Sequence, residues 1–230
     1  MGTTKGAFSY YEICKSIMKN QLTNNFIFFK RSGVNIDITH RCALECLRCQ
    51  RTRYYTSHNI KVPGEDMSIN DFKKVVTHFK TISFCGQYSD PVHHPRFIEF
   101  LKMTYEYNNQ VSVHNASSAK TKDWYIKAFQ ANPNARWVFG IDGLPEESHK
   151  YRVNQDGVKL FNIMLESKKY LKLVPIWQFI VFSYNENNLE KCKEIADKED
   201  VAFKVLQTSR WFNDNDSLAP KDSKYKMKRI

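Results

Sequence analysis

Residues 34–49 read VNIDITHRCALECLRC, and this stretch decides how the rest of the sequence is read. Its first six residues, VNIDIT, alternate apolar with polar side chains and are rich in β-branched types, so they form a strand. His40 and Arg41 lead on to Cys42, Cys46 and Cys49, a C-x3-C-x2-C run on a loop directly after that strand. Thiolates so spaced can converge on one iron–sulfur cluster. A cubane of four irons normally takes four cysteines, so three leave one iron open to a substrate or cofactor. A zinc ion held by the three cysteines, with His40 or His58 as fourth ligand, is the competing arrangement. Zinc motifs usually come as two pairs, and no second pair follows here.

Outward from this loop, short apolar runs alternate with longer amphipathic segments. Strands are expected over 34–39, 81–85, 111–115, 136–141, 176–182 and 201–206. Helices are expected over 68–79, 95–107, 121–131, 158–171 and 186–198, with Ser68 as an N-cap. Such βα alternation implies an α/β fold with a parallel sheet and right-handed crossovers. The pattern alone leaves two closures open, a doubly wound flat sheet and a partial barrel. In both, ligands gather at the C-terminal ends of the strands, and Cys42–Cys49 lies at one such end.

Of the 230 residues, 42% are hydrophobic and 14% aromatic, which excludes a disordered chain. The net charge of +11 suits an anionic partner, nucleic acid included, although the lysines are spread over the whole sequence. Six cysteines, three of them clustered, read as metal chemistry in a reducing compartment, so a cytoplasmic location is expected. No signal peptide and no run of about 18 apolar residues is evident, so no membrane span is expected. Three parts are expected: an N-terminal helical extension over 1–32 (a helix at 8–19, with 26–29 packing on the domain), the barrel over 33–210, and a loosely ordered basic tail over 211–230.

The stretch VNIDITHRCALECLRC resembles the strand-then-cluster entry of the radical S-adenosylmethionine (SAM) superfamily. The pattern is most similar to peptide-modifying members with a SPASM-type extension, over roughly 33–210. The resemblance implies a partial (β/α)6 barrel, TIM-like with parallel strands. It also implies a [4Fe–4S] cluster on Cys42, Cys46 and Cys49 and SAM chelated at the open iron. Reductive cleavage of SAM then yields a 5′-deoxyadenosyl radical that abstracts a substrate hydrogen. An external electron donor of flavodoxin or ferredoxin type is implied, and a monomer is expected. One departure is Arg48, where the family usually has an aromatic residue near adenine.

The remaining strand ends carry further similarities. Cys85-Gly86-Gln87-Tyr88-Ser89-Asp90-Pro91 stands where the family has Gly-Gly-Glu-Pro, which implies SAM ammonium contacts from Gly86, Gln87 and Asp90. Asn115-Ala116-Ser117 resembles Asn-Gly-Thr/Ser. Gly140-Ile141-Asp142-Gly143 resembles Ser-Ile-Asp-Gly and is followed by Arg152, whose guanidinium suits the SAM carboxylate. WQFIVFSYNENN resembles the group's fifth-strand pattern and places Gln178 near SAM, with Leu206 on strand six as an apolar contact to adenine. The extra cysteines of SPASM members have no counterpart. Cys85 and Cys192 read as core thiols, and His93, His94 and His114 lie near the expected mouth without an assigned role. Arg48, Arg51, Arg53, Tyr54 and Tyr55 interleave cations with aromatics, as a nucleotide-binding surface does. The substrate class therefore stays open between a peptide or protein side chain, a nucleotide or nucleic acid, and a glycyl-radical partner enzyme. A non-catalytic zinc module is the reading from another class.

Overall fold

The computed structural model describes residues 31–59, 64–86, 88–208, 210–211, 213 and 215–227. The expected N-terminal helix, Cys14 and Gln87 lie outside the described residues. Six parallel strands form one open sheet in strictly sequential order: β1 (Arg31–Ile36), β2 (Phe79–Cys85), β3 (Gln110–Asn115), β4 (Arg136–Gly140), β5 (Ile176–Ile180) and β6 (Ala202–Leu206). The helices between them are α1 (Gln50–His58), α2 (Ile69–His78), α3 (Phe97–Glu106), α4 (Lys122–Ala131), α5 (Gly157–Ser167) and α6 (Leu189–Lys198). This is the α/β parallel sheet that the βα alternation implied, with the partial-barrel closure that the resemblance implied.

Local chemistry fixes the helix starts. Ser68, Thr121 and Asp156 each accept a hydrogen bond from a first-turn backbone N–H of α2, α4 and α5. Helix α1 carries only a weak amphipathic pattern and was not expected. It begins at Cys49, the last of the three clustered cysteines, whose carbonyl accepts from Arg53 N at 2.9 Å.

The strands divide their side chains between two faces. Ile82 and Phe84, Val111 and Val113, Trp137 and Phe139, and Trp177 and Phe179 face the helices and form one core with Phe72, Phe97, Phe100, Phe129 and Leu160. Phe72 stacks on Phe100 with ring centres 4.0 Å apart, and Phe129 meets Trp137 edge to face at 4.8 Å. The alternate strand residues therefore line the concave face.

A second, smaller apolar cluster sits at the C-terminal ends of the strands. It joins Leu44 and Cys46 of the cysteine loop, Tyr151, Ile180 and Phe182, and Leu218 from far along the chain. Leu218 corrects the expectation of a loose tail. Its carbonyl accepts from Ser183 N at 3.2 Å, the Ser217 carbonyl accepts from the Ser183 hydroxyl, and Lys221 N donates to Glu186 at 2.9 Å. The charge of this segment hid the few apolar residues, Leu218 and Ala219, that anchor it. Among the described residues no helix is long and apolar enough to cross a membrane.

Candidate functional site

The cysteine loop bridges the strand ends. Its backbone is tied to the β4–α5 connection by Glu45 N to Val153 O at 3.1 Å and Leu47 N to Tyr151 O at 3.3 Å. It is tied to the β2–α3 connection by Asp90 N to Arg41 O at 3.2 Å, and by Ala43 N, which donates to His93 Nε2 at 3.3 Å. Cys49 N donates to Cys46 O at 3.1 Å, so the last two cysteines share one turn.

All three thiols border the small apolar cluster, with Cys46 buried and Cys42 and Cys49 half-buried. Burial, reinforced by the nearby Asp90 carboxylate, pushes the Cys42 thiol up to about 12. Burial likewise pushes Cys46 up to about 11, with the Arg152 guanidinium pulling the other way. Thiols in this setting keep their protons until a metal displaces them.

Arg152 lies against Gly140 at the end of β4, close enough to act on Cys46. Its Nε stands 2.8 Å from Asp142 Oδ2, and both side chains are almost fully buried. The distance is that of an ion pair, although the Nε–H is not squarely aligned with Oδ2. Burial pushes the Asp142 carboxyl up, opposed by Arg152 and by the Ile180 N–H that Oδ1 accepts at 2.8 Å. The guanidinium stays charged, and the Nη groups of Arg152 have no hydrogen-bond acceptor among the described residues.

The orientation depends on Gly140. A Cβ at that position would lie 2.7 Å from Arg152 Nη2 and 2.9 Å from its Cζ. The glycine that stands where the resembling family has serine thus makes room for the flat face of Arg152. Gly86 is required in the same way: a Cβ there would sit 1.7 Å from the Ser89 carbonyl oxygen, so the β2–α3 turn closes only on glycine.

Two expected SAM contacts have partners within the protein. Asp90 is buried, and its Oδ2 accepts from Ala116 N at 2.7 Å and Ser117 N at 2.9 Å, while Oδ1 accepts from Val92 N at 3.2 Å. Burial raises its carboxyl to about 6, and the three N–H donors oppose that rise. Asn115 accepts from Ser117 N at 3.0 Å and donates to Tyr125 Oη at 3.0 Å. Both side chains therefore shape the β3–α4 turn beside the mouth. Gln178 pairs in register with Gly140 and Lys204 and is half-buried on the concave face. Leu206 packs on the small cluster near Cys46 and Ile180.

Arg48, which stands where the resembling family usually has an aromatic residue, pairs with Asp216 through Nε at 3.3 Å and Nη2 at 3.1 Å. His94 is structural: its Nε2 bonds Met67 O at 3.0 Å, and its Nδ1 accepts from Arg96 N at 3.1 Å. Cys192 is buried in the main core as expected, but Cys85 is half-buried at the concave end of β2. Sequence reasoning missed Gln155, whose Nε2 donates to Ala116 O at 2.6 Å and Gly140 O at 2.9 Å and so ties β3 to β4. No periodicity marks such a residue.

The donor set fits an iron–sulfur cubane. Three soft ligands line one partly apolar hollow, and Arg152 and Arg210 stand close enough to act on the Cys46 charge and offset the thiolates. Among the described residues no three His, Cys, Asp or Glu side chains are drawn tightly enough together to hold a single metal ion. A cubane takes each thiolate on a different iron and asks for no such tight tetrahedron.

Comparison with solved structures finds the same fold in radical SAM enzymes. The anSMEcpe structure with bound AdoMet and the Cp18Cys peptide matches with a TM-score of 0.60 at 18% identity, over 84% of this chain and 56% of that one. Streptococcus suis SuiB matches at 0.65 and 10% identity, over 92% of this chain and 47% of that one. Methylornithine synthase (PylB) matches at 0.54 and 13% identity, over 95% and 66%. The chain thus spans about half the length of anSMEcpe and SuiB. No family model and no curated protein matches. The chain has the radical SAM fold.

Proposed function

We propose that this chain is a radical SAM enzyme with one [4Fe–4S] cluster on Cys42, Cys46 and Cys49, acting on a peptide or protein side chain. The observation that carries the reading is the meeting, at one barrel mouth, of the three-cysteine loop with an Arg152 guanidinium whose Nη edge has no acceptor in the described chain. When bound, the reduced cluster supplies the electron that cleaves SAM to the radical that takes a hydrogen from substrate. The chain's own residues do the rest. Arg152 forks its Nη groups onto the SAM carboxylate, held in place by Asp142 and by the space at Gly140. The Gly86 turn and Gln87 offer backbone to the SAM ammonium. Asp90 and Asn115 set the β3–α4 loop against it, and the Asp90 carboxylate adds negative potential. Ile180 and Leu206 wall the adenine side with Gln178 beside them, and the apolar hollow excludes water from the reacting centre. The peptide preference is supported by the peptide-bound anSMEcpe structure and by SuiB bound to precursor peptide SuiA.

The test is anaerobic reconstitution with iron and sulfide, followed by reduction with a flavodoxin-type donor or dithionite in the presence of SAM. A brown protein that releases 5′-deoxyadenosine, and a Cys42→Ala variant that does not, support the reading. A colourless protein that leaves SAM intact and holds one zinc per chain overturns it in favour of a zinc module.

A further inference from the structure

A closed eight-stranded barrel fills its interior with branched apolar side chains. The concave face here mixes polar side chains with the apolar Val138, Ile176, Ile180 and Leu206. Asn35 on β1, Ser83 on β2, Ser112 and His114 on β3, Gln178 on β5 and Lys204 on β6 all project to it, because their strand neighbours are the ones packed against the helices. Ser83 and Ser112 are register partners, and Ser112 donates to Ser83 Oγ at 2.9 Å. Gln178 and Lys204 are register partners on the other side. The two halves face one another, since the Lys204 charge acts on both His114 and Cys85.

Lys204 has no ion-pair partner among the described residues. Asp37, just beyond β1, is close enough to act on Cys85 and accepts from the Ser89 hydroxyl at 2.7 Å. A lysine inside a concave surface, with an amide beside it and no carboxylate against it, focuses positive potential into the hollow.

We infer that Lys204 and Gln178 bind a carboxylate carried by the substrate, on the concave face opposite His114 and below the cysteine mouth. The assignment rests on the radical SAM reading only for the word substrate; the anion site itself stands on these side chains. One ammonium and one amide N–H match the two oxygens and single charge of a carboxylate. A phosphate dianion suits the face less well. His114 is held neutral by burial and by Lys204, and Asp37 opposes a second negative charge. An aspartate or glutamate side chain, or a chain terminus, has the required chemistry.

The full-length reconstituted protein, labelled with 13C-histidine, is titrated with sodium acetate and separately with sodium phosphate at constant ionic strength. The His114 resonance is assigned through a His114→Gln variant. Acetate is expected to shift that resonance saturably. Lys204→Gln is expected to weaken acetate about tenfold, as loss of a charge-assisted hydrogen bond does, and Lys204→Arg to retain most of the binding. Lys204 is exposed, so circular dichroism of both variants should match the parent. The carboxylate assignment is overturned if acetate produces no saturable shift, if Lys204→Gln titrates like the parent, or if phosphate binds more tightly than acetate. SAM cleavage by the parent protein is scored in a separate assay. Its absence sinks the radical reading and leaves the acetate result intact.

Discussion

Arg152 lies flat against Gly140, with its Nη2 only 2.7 Å from the point a Cβ would occupy. Any side chain at 140 must push the guanidinium out of its place beside Cys46. Gly140→Ala should therefore destabilise the protein by about 1–3 kcal/mol, the usual range for overpacking. It should also weaken SAM binding by about tenfold through the displaced Arg152. Urea unfolding and equilibrium dialysis with labelled SAM read the two effects.

The same arginine neutralises a buried acid. Removing it by Arg152→Ala leaves the fully buried Asp142 without its cation. A loss of about 3–5 kcal/mol is expected, as for other broken buried pairs. Adding Asp142→Asn to that variant should restore a large part of the stability, because no buried charge then remains. A double variant no more stable than the single one would show that Asp142 is held by other groups.

His93 makes the cysteine loop sensitive to acid. Its Nε2 accepts from Ala43 N and bonds the Ser117 hydroxyl at 2.9 Å, so the bound form is neutral. Burial, aided by the Lys120 charge, lowers its pKa from 6.5 to about 4. As pH falls through this window, the unfolded chain takes up a proton that the folded one refuses, and stability drops. After allowance for partial exposure, His93 should account for about 1–3 kcal/mol of loss between pH 6.5 and pH 4. His93→Gln should flatten that part of the stability curve, measured by urea midpoints across the range.

Asp216 fastens the C-terminal segment to the cysteine loop through Arg48, with its own side chain only 3% exposed. Asp216→Ala should expose residues 215–227 to limited proteolysis and lower stability by about 2–4 kcal/mol. Asp216→Glu should recover part of the protection. Unchanged cleavage in the alanine variant would assign the anchoring to Leu218 and the Ser183 and Glu186 contacts.

The six strands and the position of the cysteine loop were legible in the sequence, because alternating burial and helical periodicity are local signals. Helix α1 was not, because its positions 50–58 are mostly polar and basic. Distant pairings were invisible for a different reason. Nothing near Arg48 indicates that its partner lies at 216, and nothing near Asp90 indicates that its oxygens face the backbone of Ala116 and Ser117. Gly140 stands where the resembling family has serine, and only the packed guanidinium shows why a bulkier residue fails there.

Leu218 sets an order of assembly. It completes the apolar wall around Leu44 and Cys46. During synthesis it emerges about 170 residues after Cys46, which at 5–20 residues per second is a delay of roughly 10–30 s. Throughout that interval the cysteines are already made while one side of their pocket is missing. Iron and sulfide delivered then would meet an open, water-filled cleft. Delivered later, they would have to pass beneath a strap held by Arg48 and Asp216. For the proposed cluster, the timing of insertion relative to translation is set by how late Leu218 closes the site.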